Sequence, residues 1–177
     1  DICARCHLEG DARIDLLPPT HPSFQPGDDL LVRRAVAVST NPGEDFGFVS
    51  QTNRLALSAC FQNSTNMTCT TCHDPHYPMR LQSEERKNKS CLKCHADSQL
   101  HKTPQKGSCV ECHMPQRRPF DLDKVTIHDH YIRIPEKPTP LPTLRENESL
   151  GGPWKFFSYR GKSQLSQGEN AALLAMI

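Results

Sequence analysis

One short pattern, Cys-x-x-Cys-His, occurs four times in this chain of 177 residues. The copies are Cys3, Cys6 and His7; Cys69, Cys72 and His73; Cys91, Cys94 and His95; and Cys109, Cys112 and His113. Two thiols three positions apart lie within one helical turn and can form thioethers to one porphyrin edge. The histidine that follows is then held beneath the iron as its proximal ligand. This is the attachment signature of c-type haem. Four copies lead us to expect four covalent haem c groups.

Zinc is the rival reading. The 18 residues between Cys72 and Cys91 suit a zinc ribbon. A ribbon, however, asks nothing of the residue after the second cysteine. Histidine makes up 9 of the 177 residues. Its chance occurrence at that position in all four copies is on the order of one in a hundred thousand, so the histidine favours haem over zinc or a redox dithiol.

Four proximal histidines leave His21, His76, His101, His128 and His130 for the four remaining axial positions. Every iron could therefore be bis-histidine, with one imidazole spare. His21, His76, His101 and His130 are the expected distal ligands, and His128 is the spare. His76 is three residues from His73 and cannot reach the opposite face of the same porphyrin, so it would serve another haem. Met114 adjoins His113 and lies on the wrong face of its own haem. Met67 and Met79 are read as packing residues. Cys60 is left over and reads as a small buried hydrophobe.

The composition suits a chain folded around cofactors. Only 36% of residues are hydrophobic and 6% aromatic, and 15 are proline. Such a chain buries little apolar surface of its own, so the porphyrins are expected to supply the missing bulk. A net charge of +1 gives no nucleic-acid signal. No apolar run is long enough to span a bilayer. Covalent haem attachment takes place outside the cytoplasm, so a periplasmic or extracellular location is expected. Residue 1 stands two positions before the first haem cysteine, so a leader has been removed or the chain is a piece of a longer one.

The elements that position these residues are expected to be short. Pro18, Pro19 and Pro22 surround His21 and make a stiff, extended segment. PGDD and NPGED signal turns. LVRRAVAV between them reads equally as strand or short helix. Residues 51–62 have helix-forming composition, with Leu55, Ala59 and Phe61 or Leu57 inward. EERKNK before the third motif reads as a solvated helix face or loop, and short helices are expected to end in the motifs. DLDKVTIHDHYIRI suggests an extended, half-buried piece. Residues 135–153 hold four prolines within the eight residues 135–142, a polyproline-like strap. Ser166 with Glu169 forms a capping box ahead of the apolar run NAALLAMI. The expected organisation is a haem domain over residues 1–134, followed by a strap and the start of a C-terminal helix over 135–177. The expected fold class is mainly α with much irregular structure, a compact domain wrapped around four haems.

At MTCTTCHDPH, ACFQNSTNMTCTTCHDPH, GSCVECHMP and DHYIR the chain resembles the bacterial multihaem c-type cytochromes that carry tetratricopeptide repeats. It is also similar to the tetrahaem electron-transfer cytochromes of nitrifying bacteria. The resemblance spans nearly all of residues 1–134 through short motifs. It implies His21 on the haem of His73, His76 on the haem of His7, and His130 rather than His128 as a ligand. Lys124 stands where the family often has a further histidine. Repeats themselves are not visible, although NAALLAMI could open them.

The function these features point to is electron transfer through closely packed haems. The expected partners are redox proteins, with self-association or a downstream helical-repeat domain as further possibilities. An enzyme acting on a small nitrogen or sulfur species would need an open iron and a proton-handling group. His128 beside Asp129 is the candidate for that group. A filament or assembly module is the third reading. The electron carrier is favoured over the enzyme.

Overall fold

A computed structural model describes residues 2–18, 20–40, 45–95, 107–134, 153–161 and 165–176. The strap at 135–152, His101 and residues 41–44 of the NPGED turn lie outside the described residues.

The ambiguous LVRRAVAV segment is both helix and strand. Asp29 caps a single helical turn, α2 (Leu30–Arg33), by accepting from the amide of Leu31 at 2.9 Å. The chain then extends directly into β2 (Arg34–Ser39). β2 is the centre of a three-stranded antiparallel sheet. On one side β1 (Ala12–Asp15) pairs Ala12 with Ala37 and Ile14 with Ala35. On the other, β5 (Trp154–Phe156) pairs Phe156 with Ala37 and Trp154 with Ser39. Gly10 passes so close to β2 that any Cβ there would strike Val36 and the Ala37 carbonyl.

Apolar residues cover both faces of β2, which is why neither a period of two nor one of 3.6 stands out in its sequence. Val36 joins Ala4, Leu8, Leu30, Leu31 and Phe157 in one cluster. Ala35, Ala37 and Phe156 form another, against which Leu173 and Leu174 pack. Those two leucines come from α7 (Gln167–Leu174), which begins with the expected capping box of Ser166 and Glu169.

A second sheet pairs β3 (Gln116–Arg117) with β4 (Ile127–His128). The remaining helices are α1 (Ala4–His7), α3 (Gln51–Ala56), α4 (Ala59–Asn63), α5 (Glu84–Leu92) and α6 (Cys109–His113). The expectation of a mainly α fold is corrected. Two antiparallel sheets are present, and the longest helix among the described residues has 9 residues. The β-branched residues around Val36 and the aromatic run at Trp154 suit a pleated surface, while frequent prolines and caps keep every helix to a turn or two.

Other expectations shift in detail. Helices α1 and α6 start within or at a motif, and α5 alone runs into one. The stretch over 51–62 breaks between α3 and α4. It buries Arg54, Ser58 and Phe61 and leaves Leu55 only half-buried. Ile134 is 82% exposed rather than half-buried. Among the described residues, no helix is long and apolar enough to cross a membrane.

Candidate haem centres

All four motifs adopt the same local form. The histidine amide donates to the carbonyl of the first cysteine at 2.9 Å in His7 to Cys3, His73 to Cys69 and His95 to Cys91. The fourth motif makes the equivalent turn as α6, capped by Ser108. In each copy the first cysteine is half-buried and the second exposed.

The motifs also lie in a row. The thiol of Cys69 lies in the electrostatic field of Cys3, and that of Cys91 in the field of Cys109. Cys72 lies in the electrostatic field of Cys60, Lys93 and Cys94, which joins the second motif to the third. Burial pushes the thiols of Cys69 and Cys72 up, and that of Cys91 up to about 11. These are free thiols, and thioether formation would abolish their titration.

Each motif is tied to the rest of the chain. Ala4, inside the first motif, sits in the core cluster around Val36. Arg160, on the segment after β5, donates to the carbonyls of Ser64 at 2.7 Å and Met67 at 3.0 Å and lies over the ring of Phe61. It thereby clamps the approach to the second motif. Asn88 of α5 donates to the Gly107 carbonyl and accepts from the Cys109 amide, joining the third motif to the fourth.

The residues fit a haem in two independent ways. First, from residue 62 to residue 118 the only described residues that are buried are the polar Gln82 and Ser108. Three of the motifs stand in this stretch. Leu81 and Leu92 are exposed beside them, so the segment has no apolar core of its own. Second, the imidazoles are oriented for metal. Nδ1 of His7 donates to the Gln51 side chain at 2.9 Å, and Nδ1 of His113 to the Arg133 carbonyl at 2.8 Å. Nδ1 of His128 donates to the Met114 carbonyl at 2.6 Å, and Nδ1 of His130 to the His128 carbonyl at 3.0 Å. A carbonyl can only accept, so Nδ1 carries the proton in the last three and Nε2 keeps its lone pair for a metal. The four motifs would hold haem c through their cysteines, with His7, His73, His95 and His113 beneath the irons. Among the described residues no group of three or more His, Cys, Asp or Glu is arranged to hold a metal ion.

The other histidines separate. His130 and His73 come together, with ring centroids 6.0 Å apart and planes inclined by 13°. Burial lowers the pKa of both, which favours the neutral imidazole that a metal requires. His21 is exposed, and its Nδ1 faces the Arg33 guanidinium at 3.5 Å. His76 is exposed in the turn after the second motif.

Sequence reasoning missed what holds His130. Asp129, 1% exposed, receives Nε and Nη2 of the buried Arg54 at 2.8 and 2.7 Å. Arg117 adds a longer contact at 3.4 Å. Burial alone would push this carboxyl up, but the hydrogen bonds and charge of Arg54 overcome it and the net shift is downward. Asp129 is therefore an ionised structural anchor and not the proton-handling partner imagined for His128. The buried Ser58 donates to the His130 carbonyl at 3.1 Å and accepts from the Ile132 amide at 2.8 Å. An arginine in a helix of apolar and amide residues was the one available signal.

Residues 62–100, which contain the second and third motifs, match the family model of the doubled CXXCH motif. This match supports a multihaem c-type cytochrome with covalently bound haem c and an electron-transfer role. No curated protein and no solved structure matches the chain.

Proposed function

We propose that this chain is an exported electron-transfer module carrying four haem c groups, one on each Cys-x-x-Cys-His motif. A bound haem supplies one-electron redox chemistry. The protein sets spacing, burial and axial ligation. The observation that carries the reading is the row of motifs, in which Cys3 lies near Cys69, Cys72 near Cys94, and Cys91 near Cys109. Haems held by motifs this close would be neighbours, and each would supply a one-electron site next to the one before it in the chain.

In this reading residues 1–134 supply the haem ligands. Distal ligands come from His21, His76, His101 and His130, with His128 now also a candidate because its Nε2 is unprotonated and meets only a long 3.5 Å contact with the Gln116 side chain. The segment over 153–176 closes the sheet beside the first motif. Redox proteins are the partners. The tetrahaem electron carriers of nitrifying bacteria are the kind of protein this reading brings it nearest to.

Intact mass after denaturation tests it. Protein matured by a haem-attachment system should exceed the polypeptide mass by four haem masses. An increment of two, or zinc with little iron in elemental analysis, would overturn the proposal.

A further inference from the structure

Given the four-haem reading above, we infer that His73 and His130 are the two axial ligands of one iron, that of the haem attached at Cys69 and Cys72. Their ring centroids lie 6.0 Å apart, with planes 13° from parallel. Two metal–imidazole bonds of about 2.0–2.1 Å separate the ligating nitrogens by about 4 Å, and each ring centre lies about 1.1 Å further back. The expected spacing across one iron is therefore about 6.2 Å. Offset stacking of two rings also reaches this separation. What favours an iron between them is the spacing joined to the free nitrogen and fixed backbone of His130.

The chemistry of each ring agrees. His73 follows Cys72 directly and its amide closes the motif's turn on Cys69. His130 donates Nδ1–H to the His128 carbonyl, which leaves Nε2 as the unprotonated nitrogen. Its backbone is fixed from both sides. Ser58 holds its carbonyl and the neighbouring Ile132 amide, while Arg54 grips Asp129 just before it. A ligand that arrives from 57 residues downstream needs such anchoring to meet the iron with low reorganisation. The resemblance to known cytochromes had placed His21 opposite His73. His21 is instead exposed beside Arg33, so His130 takes that position.

The test uses the matured full-length protein. His130→Ala should leave four haems by mass. It should convert one of them to a high-spin ferric signal and make that one, once reduced, bind carbon monoxide. Added imidazole should restore the low-spin state. In a Cys69→Ala, Cys72→Ala background, which lacks the second haem, His130→Ala should open no further site. Should His130→Ala fail to fold, His130→Met offers a ligand that keeps the iron low-spin but raises the potential of that haem alone. Four haems by mass with all irons unchanged in His130→Ala would overturn the pairing and leave the four-haem reading standing. A carbon monoxide site that opens in the background lacking the second haem would assign His130 to another iron. Fewer than four haems in the wild type would instead count against the proposed function.

Discussion

Arg54 and Asp129, 75 residues apart in sequence, meet in a two-pronged ion pair with side chains 3% and 1% exposed. Arg54 also lies over the rings of Phe46 and Tyr131. The pair joins α3, which carries the partner of His7, to the segment that carries His128 and His130. One buried contact thus connects the surroundings of the first motif with the distal ligand proposed for the second.

Removing either side strips a buried charge of its closest counter-ion, with Asp129 keeping the longer contact to Arg117. Arg54→Met and Asp129→Asn should each destabilise the protein by about 3–5 kcal/mol. Denaturant unfolding of the matured protein measures this. The double variant Arg54→Met, Asp129→Leu should cost less than the two single changes together, because neither charge is then stranded.

Ser58 is fully buried and its hydroxyl serves both the His130 carbonyl and the Ile132 amide. Ser58→Ala leaves these two groups only their 3.0 Å bond to each other and should cost about 0.5–1.5 kcal/mol. Amide exchange at Ile132 should quicken more than exchange in β2. Equal quickening throughout would show that Ser58 does not act on this loop.

Glu9 gives the protein a pH dependence. Its Oε2 is buried without a hydrogen-bond partner among the described residues. Burial, and after it the charge of Asp121, pushes its carboxyl up from 4.5 to about 7. The folded protein therefore holds this proton more tightly than the unfolded chain does. The associated stability is fully present below about pH 4.5 and is lost as pH rises through about 7. Melting temperatures followed across that window should show this loss in the wild type. Glu9→Gln should remove it, and an identical slope in both proteins would rule Glu9 out as its source.

Phe157 contributes from beyond residue 153 to the cluster formed by Ala4, Leu8 and Val36. Phe157→Ala should destabilise by about 3–5 kcal/mol. Because Ala4 belongs to the first motif, the change should loosen that motif before the third or fourth. Amide exchange in the matured protein would detect the order.

Haem removal should act unevenly. The segment over 62–118 buries only Gln82 and Ser108 among its described residues, so its order depends on the porphyrins. In chain made without haem attachment, amides in α5 and α6 should lose protection. Protection there equal to that of the matured protein would contradict this dependence.

Local chemistry was legible in the amino-acid sequence by itself. Cys-x-x-Cys-His needs only one turn of backbone, so residue spacing alone determines where the thiols and proximal histidine stand. The Ser166 and Glu169 capping box is legible for the same reason, since its hydrogen bonds span three residues. Tertiary structure decided whatever depends on partners distant in the chain. LVRRAVAV became a turn of helix followed by a strand because β1 and β5 flank it, and the sheet displaced the expected mainly α fold. It also decided which imidazole faces His73. Five histidines satisfy the count equally well, and only the closure of a long loop, held by Arg54, Asp129 and Ser58, brings His130 to 6.0 Å. Such closure rests on complementary burial and charge between segments, which no spacing within either segment encodes.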